Sequence, residues 1–316
     1  MLTRPTFVFP GQGSQYPGMF RDLTACGPAA RRLVGDAETA TGLDLTGLMT
    51  TADAQTIAQP QLAQVLVFVS SSVLLAELAE HGIEPAAVAG HSLGEYTALT
   101  AAGSLDWTTA LAVVTFRGKA MAEAAAGRDG TMGAVVGLDL ARVEELCRAA
   151  SRHGDQVVVA NVNSARQVVV SGDTAAVGAV LAAAAKGGAL RAKAIPVGGA
   201  YHSPLMDHAR RALAEVLADV PLAPPRVPLV SSVTGELVTD IEAHRDTLVA
   251  QVTRPVRWFD TVRRLVALDA GDGGEFVEVG PGRVLAGLGR ETARDRRHVG
   301  AVEAIRQPVA VAGGST

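Results

Sequence analysis

Cysteine and aromatic residues are scarce in this 316-residue chain, which has two cysteines and only 4% Phe, Trp and Tyr. Two cysteines, Cys26 and Cys147, exclude a disulfide framework and a cysteine-rich metal site, and we expect no bound metal. Basic residues are not in excess either, because 28 Lys and Arg against 32 Asp and Glu give a net charge of −4. This balance argues against nucleic acid as the main partner.

Long apolar runs are absent as well. No uninterrupted apolar stretch approaches the roughly 20 residues of a membrane span. The apolar segment near the N-terminus, residues 7–9, is too short for a secretory signal. We therefore expect no membrane association and a cytoplasmic location. Hydrophobic residues nevertheless make up 48% of the chain, enough for a sizeable core.

Short apolar segments bounded by Gly or Pro alternate with longer Ala- and Leu-rich stretches of helical periodicity. The segments typical of buried strands are 6–9, 88–89, 227–230 and 276–279. The stretches typical of helices are 61–81, 107–126, 204–218 and 243–253. This alternation predicts a mostly parallel sheet flanked by helices.

Residues 130–196 depart from that alternation. The pattern there predicts, in order, a strand (132–136), a helix (141–151), two strands (156–161 and 167–172), a helix (173–186) and a strand (191–196). A βαββαβ order is typical of a ferredoxin-like unit. Residues 163–166, with the sequence NSAR, favour a hairpin turn between the two middle strands. We predict a small domain inserted into a larger one.

Residues 88–95, VAGHSLGE, match the Gly-x-Ser-x-Gly nucleophile elbow in its expected context, between an apolar segment and a helix-forming one. Gly90 and Gly94 suit the sharp strand-to-helix turn, which leaves no room for side chains. The turn would hold Ser92 strained and exposed. The following helix N-terminus would favour negative charge beside it. This pattern predicts that Ser92 is the covalent nucleophile of an acyl-transferring enzyme.

The elbow also indicates the architecture of the larger domain. The expected fold is α/β, with a large α/β-hydrolase-like domain built on a parallel sheet plus an inserted small ferredoxin-like domain. We expect residues 1–128 and 198–305 to form the large catalytic domain and residues 129–197 to form the small one. Residues 306–316 are small and polar enough for a flexible tail.

A serine hydroxyl is a poor nucleophile without a neighbouring base. Seven histidines are available in the chain. His91 is adjacent to Ser92, but neighbours across such a turn point in different directions. His202 lies in the glycine-rich loop 198–204, where catalytic residues concentrate. Loop histidines are more commonly plain surface residues, so the pattern alone leaves His202 as one candidate.

Several ordered motifs together resemble the malonyl-CoA:acyl-carrier-protein transacylases and the acyltransferase domains of polyketide synthases. The resemblance covers roughly residues 5–290. Its motifs are FVFPGQGSQ (7–15), QP (59–60), GHSLGEY (90–96), FRGKAM (116–121), AYHSPLM (200–206), VTG (233–235), PVRW (255–258) and EVGPG (278–282).

The resemblance implies a role for each matching residue. Ser92 would attack a thioester, and His202 would take its proton and return it to the leaving thiol. The backbone N–H groups of Gln12 and Leu93 would form the oxyanion hole. A carbonyl near Gln251, rather than a carboxylate, would complete a dyad with His202. The reaction would be a double displacement through an acyl-serine, from acyl-CoA to the phosphopantetheine thiol of a carrier protein, with no bound cofactor.

Arg117 is the most informative residue about the substrate. Its neighbours Val113, Val114 and Phe116 are apolar, so a partly buried guanidinium is expected. A planar fork of donors is suited to a carboxylate. The alternatives are an internal Asp or Glu, or the free carboxylate of a malonyl-type acyl group, which is what the resemblance implies.

The residues around the nucleophile and the base bear on the acyl group. Tyr201 places a bulky ring before the histidine, as in malonyl enzymes of the family. Leu93 indicates the same choice, so malonyl is favoured, although a pocket discriminates one carbon by only about 1–3 kcal/mol. Tyr201 replaces the usual Phe, which leaves an unusual extender open. Ser232, where relatives often have Asn, is a smaller departure.

The partner implied by the resemblance is a small acidic acyl carrier protein. Arg191 and Lys193 lie beside the histidine loop, and Arg283 lies in the GPG loop. These cations are candidates for steering the carrier protein, although ordinary solvated charges are the more common case. We expect the enzyme to be a monomer.

Other functions share parts of this pattern. A serine hydrolase or thioesterase would need a triad carboxylate, for which Asp155 and Asp173 precede His202 in chain order. A catalytically inert carrier-binding subunit would not need all four of the residues Ser92, Arg117, His202 and Gln251. Within the family, a discrete polyketide enzyme is favoured by the histidine motif. A housekeeping fatty-acid transacylase and a transacylase moving another acyl group between carrier proteins remain alternatives.

Overall fold

A computed structural model of the chain describes residues 4–24, 26–151, 154–268 and 274–306. The strands are β1 (Thr6–Phe9), β2 (Ala87–Gly90), β3 (Gly130–Val136), β4 (Val157–Ser164), β5 (Gln167–Asp173), β6 (Arg191–Ile195), β7 (Leu229–Val230), β8 (Glu275–Glu278) and β9 (Arg297–Gly300). The helices are α1 (Phe20–Thr24), α2 (Pro28–Thr41), α3 (Leu45–Thr51), α4 (Ala54–Ile57), α5 (Pro60–Glu80), α6 (Gly94–Ala101), α7 (Trp107–Ala126), α8 (Leu140–Ala150), α9 (Thr174–Lys186), α10 (Asp207–Ala218), α11 (Ile241–Gln251), α12 (Trp258–Leu268), α13 (Val284–Thr292) and α14 (Ala301–Arg306). A 3₁₀ turn, Pro204–Met206, precedes α10.

The larger sheet is parallel, with strand order β7-β2-β1-β8-β9. Alternate residues of β1 enter different cores, as the two-residue period of a strand requires. Phe7 and Phe9 pack in the core that includes α5, whereas Val8 packs with Trp258 on the opposite face. Both faces are therefore buried, which explains why β1 is continuously apolar from Phe7 to Phe9 instead of alternating with polar residues.

Helix α5 runs through the main core and is apolar around its whole circumference. By length and composition it could cross a membrane, but 72% of its most apolar window is buried inside the fold. Gln64 and the serines at 70–72 interrupt the apolar run, so α5 does not contradict the expectation of no uninterrupted apolar stretch of membrane-span length, although the helix is apolar on average. Its burial identifies α5 as a core helix.

The second sheet is antiparallel, with strand order β4-β5-β3-β6. Helices α8 and α9 cover one face around Val135, Val168 and Val177. This confirms the predicted βαββαβ unit with a ferredoxin-like strand order. The sheet is joined to the rest of the molecule at β4, where the N–H of Val162 donates to the carbonyl of Val256 at 2.8 Å.

Several sequence expectations need correction. Asn163 and Ser164 were placed in the hairpin turn, but they are the last residues of β4, and the turn is formed by residues 165 and 166. The four helices between residues 20 and 57 were not predicted, nor were β9, α12, α13 and α14. Two of these helices carried a usable signal, because Asp44 and Asp53 cap α3 and α4 through hydrogen bonds of 2.7 Å to backbone N–H groups.

The predicted domain boundaries stay a prediction. The antiparallel strands do fall between residues 130 and 195, inside the range 129–197 assigned to the small domain. Arg306, assigned to the tail, is the last residue of α14. The rest of the predicted tail, residues 307–316, lies outside the described residues.

Candidate active site

Ser92 lies at the turn between β2 and α6, at the carboxyl end of the large sheet. Its φ of +52° is in the left-handed region, which costs a non-glycine residue about 1–2 kcal/mol. A Cβ at Gly90 would lie 1.9 Å from the backbone carbon of Gly94. A Cβ at Gly94 would lie 2.0 Å from the carbonyl oxygen of Phe9. The glycines of the motif are therefore required by close backbone approach, as the sequence indicated.

His202 is brought to Ser92 across 110 residues of sequence. Its Nε2 lies 2.8 Å from the Ser92 Oγ. Its Nδ1 lies 2.9 Å from the carbonyl oxygen of Gln251 and 3.2 Å from that of Arg254. Because carbonyls only accept hydrogen bonds, Nδ1 carries the proton and Nε2 is left free to accept the serine hydroxyl proton. His202 also has a left-handed φ, of +58°.

The environment of His202 keeps its ring neutral. Burial lowers the pKa of His202 to about 3, and the positive charge of Arg117 lowers it in the same direction. The carbonyls of Gln251 and Arg254 act in the opposite direction. The imidazole is thus available as a proton acceptor over the whole neutral range.

Arg117 lies on α7 with only 1% of its surface exposed. Its two terminal nitrogens donate to the Gln64 Oε1 at 2.7 Å, the Gln251 Oε1 at 3.0 Å and the Ser92 Oγ at 3.1 Å. Its guanidinium carbon lies 5.8 Å from the centre of the Tyr96 ring. Among the described residues, no Asp or Glu forms an ion pair with it, so the internal carboxylate partner considered as an alternative is not observed there.

Gln251 connects the base to the arginine. It ends α11, where its backbone carbonyl accepts from His202 and its side-chain oxygen accepts from Arg117. Its side-chain nitrogen donates to the Glu95 Oε2 at 2.7 Å. The family resemblance implied a carbonyl near Gln251 but not this use of its side chain.

The positions predicted for the oxyanion hole are the backbone N–H groups of Gln12 and Leu93. In the part of the chain that the structure describes, neither N–H donates to a protein acceptor. A Cβ at Gly11 would lie 2.5 Å from the carbonyl oxygen of His91, so the loop carrying Gln12 passes directly over the elbow. Their role as the oxyanion hole stays a prediction.

His91 points away from Ser92, as expected. Its Nε2 lies 3.1 Å from the Asn163 Oδ1, and its ring packs against Trp258 with centroids 5.5 Å apart. Asn163 was missed as a site neighbour because the sequence placed it in a turn. The contact means that the antiparallel sheet supports the elbow from one side.

Three more neighbours were missed or undervalued. Gln64 was assigned only to a helix, because its contact with Arg117 joins residues 53 positions apart and leaves no local signal. Ser232 donates to the Glu95 Oε2 at 2.7 Å, which gives its departure from the family pattern a physical consequence. His244 lies 3.4 Å from the Glu95 Oε1 and was one of seven histidines without distinguishing context.

The remaining predicted residues are placed as follows. Tyr201 is 5% exposed, beside His202, and burial raises its pKa to about 12. Arg191 and Lys193 are exposed on β6. Arg283 is exposed but pairs with Glu303. These positions leave the predicted roles of Tyr201 and the three cations as predictions.

The hydrolase alternative requires a carboxylate at His202. Asp173 instead accepts from Arg128 at 2.5 Å and from the backbone N–H of Gln156 at 2.6 Å. Among the described residues, the partners of the His202 Nδ1 are the carbonyls of Gln251 and Arg254. Within the same residues, no group of three or more His, Cys, Asp or Glu side chains could hold a metal ion.

Comparison with known proteins agrees with this geometry. The acyl transferase domain family matches residues 6–311. A malonyl CoA-acyl carrier protein transacylase of Bacillus subtilis (strain 168) is 35% identical over 293 residues, 93% of this chain and 92% of that protein.

Two solved structures are similar over almost the whole chain. The malonyl CoA-acyl carrier protein transacylase of Coxiella burnetii superposes with a TM-score of 0.91 at 34% identity, covering 98% of each chain. A malonyl-transacylase solved in complex with a type II polyketide synthase acyl-carrier protein gives a TM-score of 0.89 at 33% identity. It covers 95% of this chain and 98% of that one.

Proposed function

The chain belongs to the acyl transferase domain family, and from that membership we propose that it transfers a malonyl group from CoA to an acyl carrier protein. The observation that carries the choice of acyl group is Arg117. Its guanidinium is almost wholly buried, lies 3.1 Å from the Ser92 Oγ and is hydrogen-bonded to neutral groups. Among the described residues no carboxylate lies within ion-pair distance of this buried cation, although Glu95 acts on it from behind Gln251, and such a cation beside the nucleophile suits an acyl group that ends in a carboxylate.

The chemistry follows from the positions of four residues. The Ser92 Oγ attacks the thioester carbonyl while its proton passes to the His202 Nε2, 2.8 Å away. The backbone N–H groups of Gln12 and Leu93 receive the developing oxyanion. The imidazolium then returns the proton to the CoA thiol as the carbon–sulfur bond breaks. The same steps in reverse, with the carrier-protein thiol as nucleophile, regenerate Ser92.

The acceptor is proposed to be a thiol rather than water. The carbonyls of Gln251 and Arg254 orient His202 but supply no full negative charge to raise its basicity. A thiol, of pKa about 8.5, gives up its proton far more readily than water, of pKa about 15.7, so a histidine whose pKa is lowered by burial activates the thiol more readily. This difference favours transfer over hydrolysis.

The finer assignment is a role in polyketide biosynthesis, with housekeeping fatty-acid synthesis as the alternative. The bulky ring of Tyr201, which precedes His202 in the sequence, supports malonyl over a branched extender. The similar transacylase solved with a polyketide carrier protein supports a carrier partner of that class. Arg191 and Lys193 on β6 are the proposed contacts, with Arg283 a weaker one because it already pairs with Glu303. A monomeric, cytoplasmic enzyme without a bound cofactor fits this proposal.

The test is mass spectrometry of the intact protein after exposure to a panel of acyl-CoAs. The native enzyme should gain one malonyl group on Ser92 and lose it on addition of a phosphopantetheinylated carrier protein. The Ser92→Ala variant should gain none. Rapid loss of the malonyl group to water without carrier protein would instead support the hydrolase.

Arg117→Ala should abolish most malonyl loading, since it removes the only proposed partner of the acyl carboxylate. Loss of a charge-assisted hydrogen-bond pair worth about 3 kcal/mol corresponds to a fall of roughly 100-fold in malonyl kcat/KM. Loading of uncharged acetyl-CoA should rise at the same time. Arg128→Ala, which removes an arginine from an ion pair with Asp173, is the matched control and should retain malonyl loading. Unchanged malonyl kinetics in Arg117→Ala would refute the carboxylate assignment.

A further inference from the structure

A buried carboxylate lies behind the proposed site and takes no part in the mechanism above. Glu95, in the first turn of α6, has no exposed surface. Its Oε2 accepts from the Gln251 Nε2 at 2.7 Å, the Ser232 Oγ at 2.7 Å and the Ser232 backbone N–H at 3.4 Å. Burying a carboxylate is costly unless it is paired and hydrogen-bonded, so its presence here calls for a function.

The effect of Glu95 on Gln251 is to fix the direction of the amide. One end of the Gln251 side chain faces Arg117, which can only donate hydrogen bonds. The other end faces a carboxylate, which when ionised can only accept them. If the Gln251 amide were rotated, its nitrogen would face the N–H donors of Arg117 and its oxygen would face the acceptor oxygen of Glu95. Glu95 therefore commits the Gln251 oxygen to the guanidinium of Arg117.

His244 is placed to support Glu95 from the opposite side. It lies on α11 seven residues before Gln251, on the same face of the helix. The His244 Nε2 and the Glu95 Oε1 are 3.4 Å apart, and both side chains are almost fully buried. Neither atom forms a hydrogen bond within the described residues. Each is therefore the available partner for the other, and together His244 and Gln251 hold Glu95 against α11.

We propose that Glu95, which His244 contacts, is a positioning residue. It fixes the side chain of Gln251, and Gln251 in turn holds the Arg117 guanidinium that receives the acyl carboxylate. This inference rests on the proposed malonyl transfer. The role concerns Arg117 and not the base. His202 is held by backbone carbonyls, which the direction of the Gln251 amide does not control. Loss of Glu95 should consequently impair recognition of a charged acyl group more than the reactivity of Ser92.

The test is Glu95→Gln, which keeps the shape of the side chain and removes the charge that fixes Gln251. We expect the KM for malonyl-CoA to rise about tenfold, which is the effect of about 1.4 kcal/mol. The kcat for acetyl-CoA and the rate of Ser92 modification by phenylmethylsulfonyl fluoride should change less than about threefold. A merely structural role would impair malonyl loading, acetyl loading and Ser92 modification together. The difference between the two substrates is therefore the decisive readout.

Glu278→Gln is the matched control. Glu278 is 1% exposed and accepts from the backbone N–H groups of Leu285 and Ala286 at 3.1 and 2.8 Å, away from Arg117. It should lower thermal stability without changing the ratio of malonyl to acetyl kcat/KM. The native enzyme tests the proposed function separately, because failure to load malonyl at all would refute that function, whereas an unaltered ratio in Glu95→Gln would refute only the positioning role.

A second pair of variants decides the matter if Glu95→Gln does not fold. His244→Gln places an amide N–H where the Nε2 was, whereas His244→Leu leaves the Glu95 Oε1 without a donor. We expect His244→Leu to raise the malonyl KM about threefold and His244→Gln to restore it. Equal malonyl-to-acetyl ratios in both variants and the native enzyme would overturn the proposal.

Discussion

The two sheets of the molecule bury very different material. The core between the antiparallel sheet and α8 and α9 is built from apolar side chains such as Val135, Val168 and Val177. Beside the carboxyl end of β2 in the parallel sheet, Glu95, Arg117 and Gln251 are each at most 1% exposed and are linked by hydrogen bonds. The first core consists of packed apolar side chains, whereas the second region gives up stability to hold polar groups in position.

Backbone strain follows the same division. Among the described residues, Ser92 and His202 are the non-glycine residues with positive φ, and both belong to the candidate site. The strain places a hydroxyl and an imidazole 2.8 Å apart from positions distant in the chain. Substitutions near the candidate site should therefore affect stability differently from substitutions in the antiparallel region.

The largest effect is expected for Gly94→Ala in the elbow. Its Cβ would lie 2.0 Å from the carbonyl oxygen of Phe9 and 2.8 Å from that of Pro10, so β1 and α6 would have to move apart. We expect a loss of more than about 3 kcal/mol in the free energy of unfolding, or failure to fold. Urea unfolding of the purified variant measures this. A loss below about 0.5 kcal/mol would show that the elbow can relax, and would contradict the proposed difference between the two regions.

The same division decides what could be predicted from the sequence. All six elements of the antiparallel region were predicted, with small shifts in their bounds, because each carries its own short-range periodicity. The elbow was also predicted, since Gly90 and Gly94 act within five residues. The contacts of Arg117 with Gln64 and Gln251 span 53 and 134 residues, and local patterns contain no trace of them.

Resemblance to a family supplied part of what local patterns could not. It named His202 and the carbonyl near Gln251, and the structure brings both to Ser92. It did not supply Glu95 and His244 as a pair, because neither residue type has a fixed meaning outside its contacts. The roles of the site residues therefore stay predictions until the variants are measured.

An intermediate effect is expected from pH. The pKa of His202 is lowered from 6.5 to about 3 in the folded protein, and burial also lowers the pKa of His91, His244 and His298. Between these values the unfolded chain binds a proton that the folded chain does not. The stability contributed by a neutral His202 is therefore complete above about pH 6.5 and is lost progressively as the pH falls towards 3.

Urea unfolding at pH 7.5, 6 and 5 measures this loss. The four histidines with a lowered pKa all lie outside residues 130–195, so the pH sensitivity that they cause should come from the parallel-sheet region. His202→Asn should show a shallower dependence of the free energy of unfolding on pH. An equal slope in native and variant proteins would contradict the assignment. The initial rate of malonyl loading should not decline as the pH passes through 6.5, because the base is neutral on both sides of that value.

The smallest effect is expected for Gly178→Ala, the matched counterpart of Gly94→Ala in the antiparallel region. Gly178 is exposed within α9, and a Cβ there would meet no atom within 4 Å. Alanine restricts the unfolded chain and favours the helix, so we expect a gain of about 0.5–1 kcal/mol. The melting temperature should rise by about 1–3 °C, with malonyl loading unchanged. The same substitution would then have opposite effects at the two positions, because backbone of another strand occupies the space of the added methyl group at Gly94, whereas no atom lies within 4 Å at Gly178.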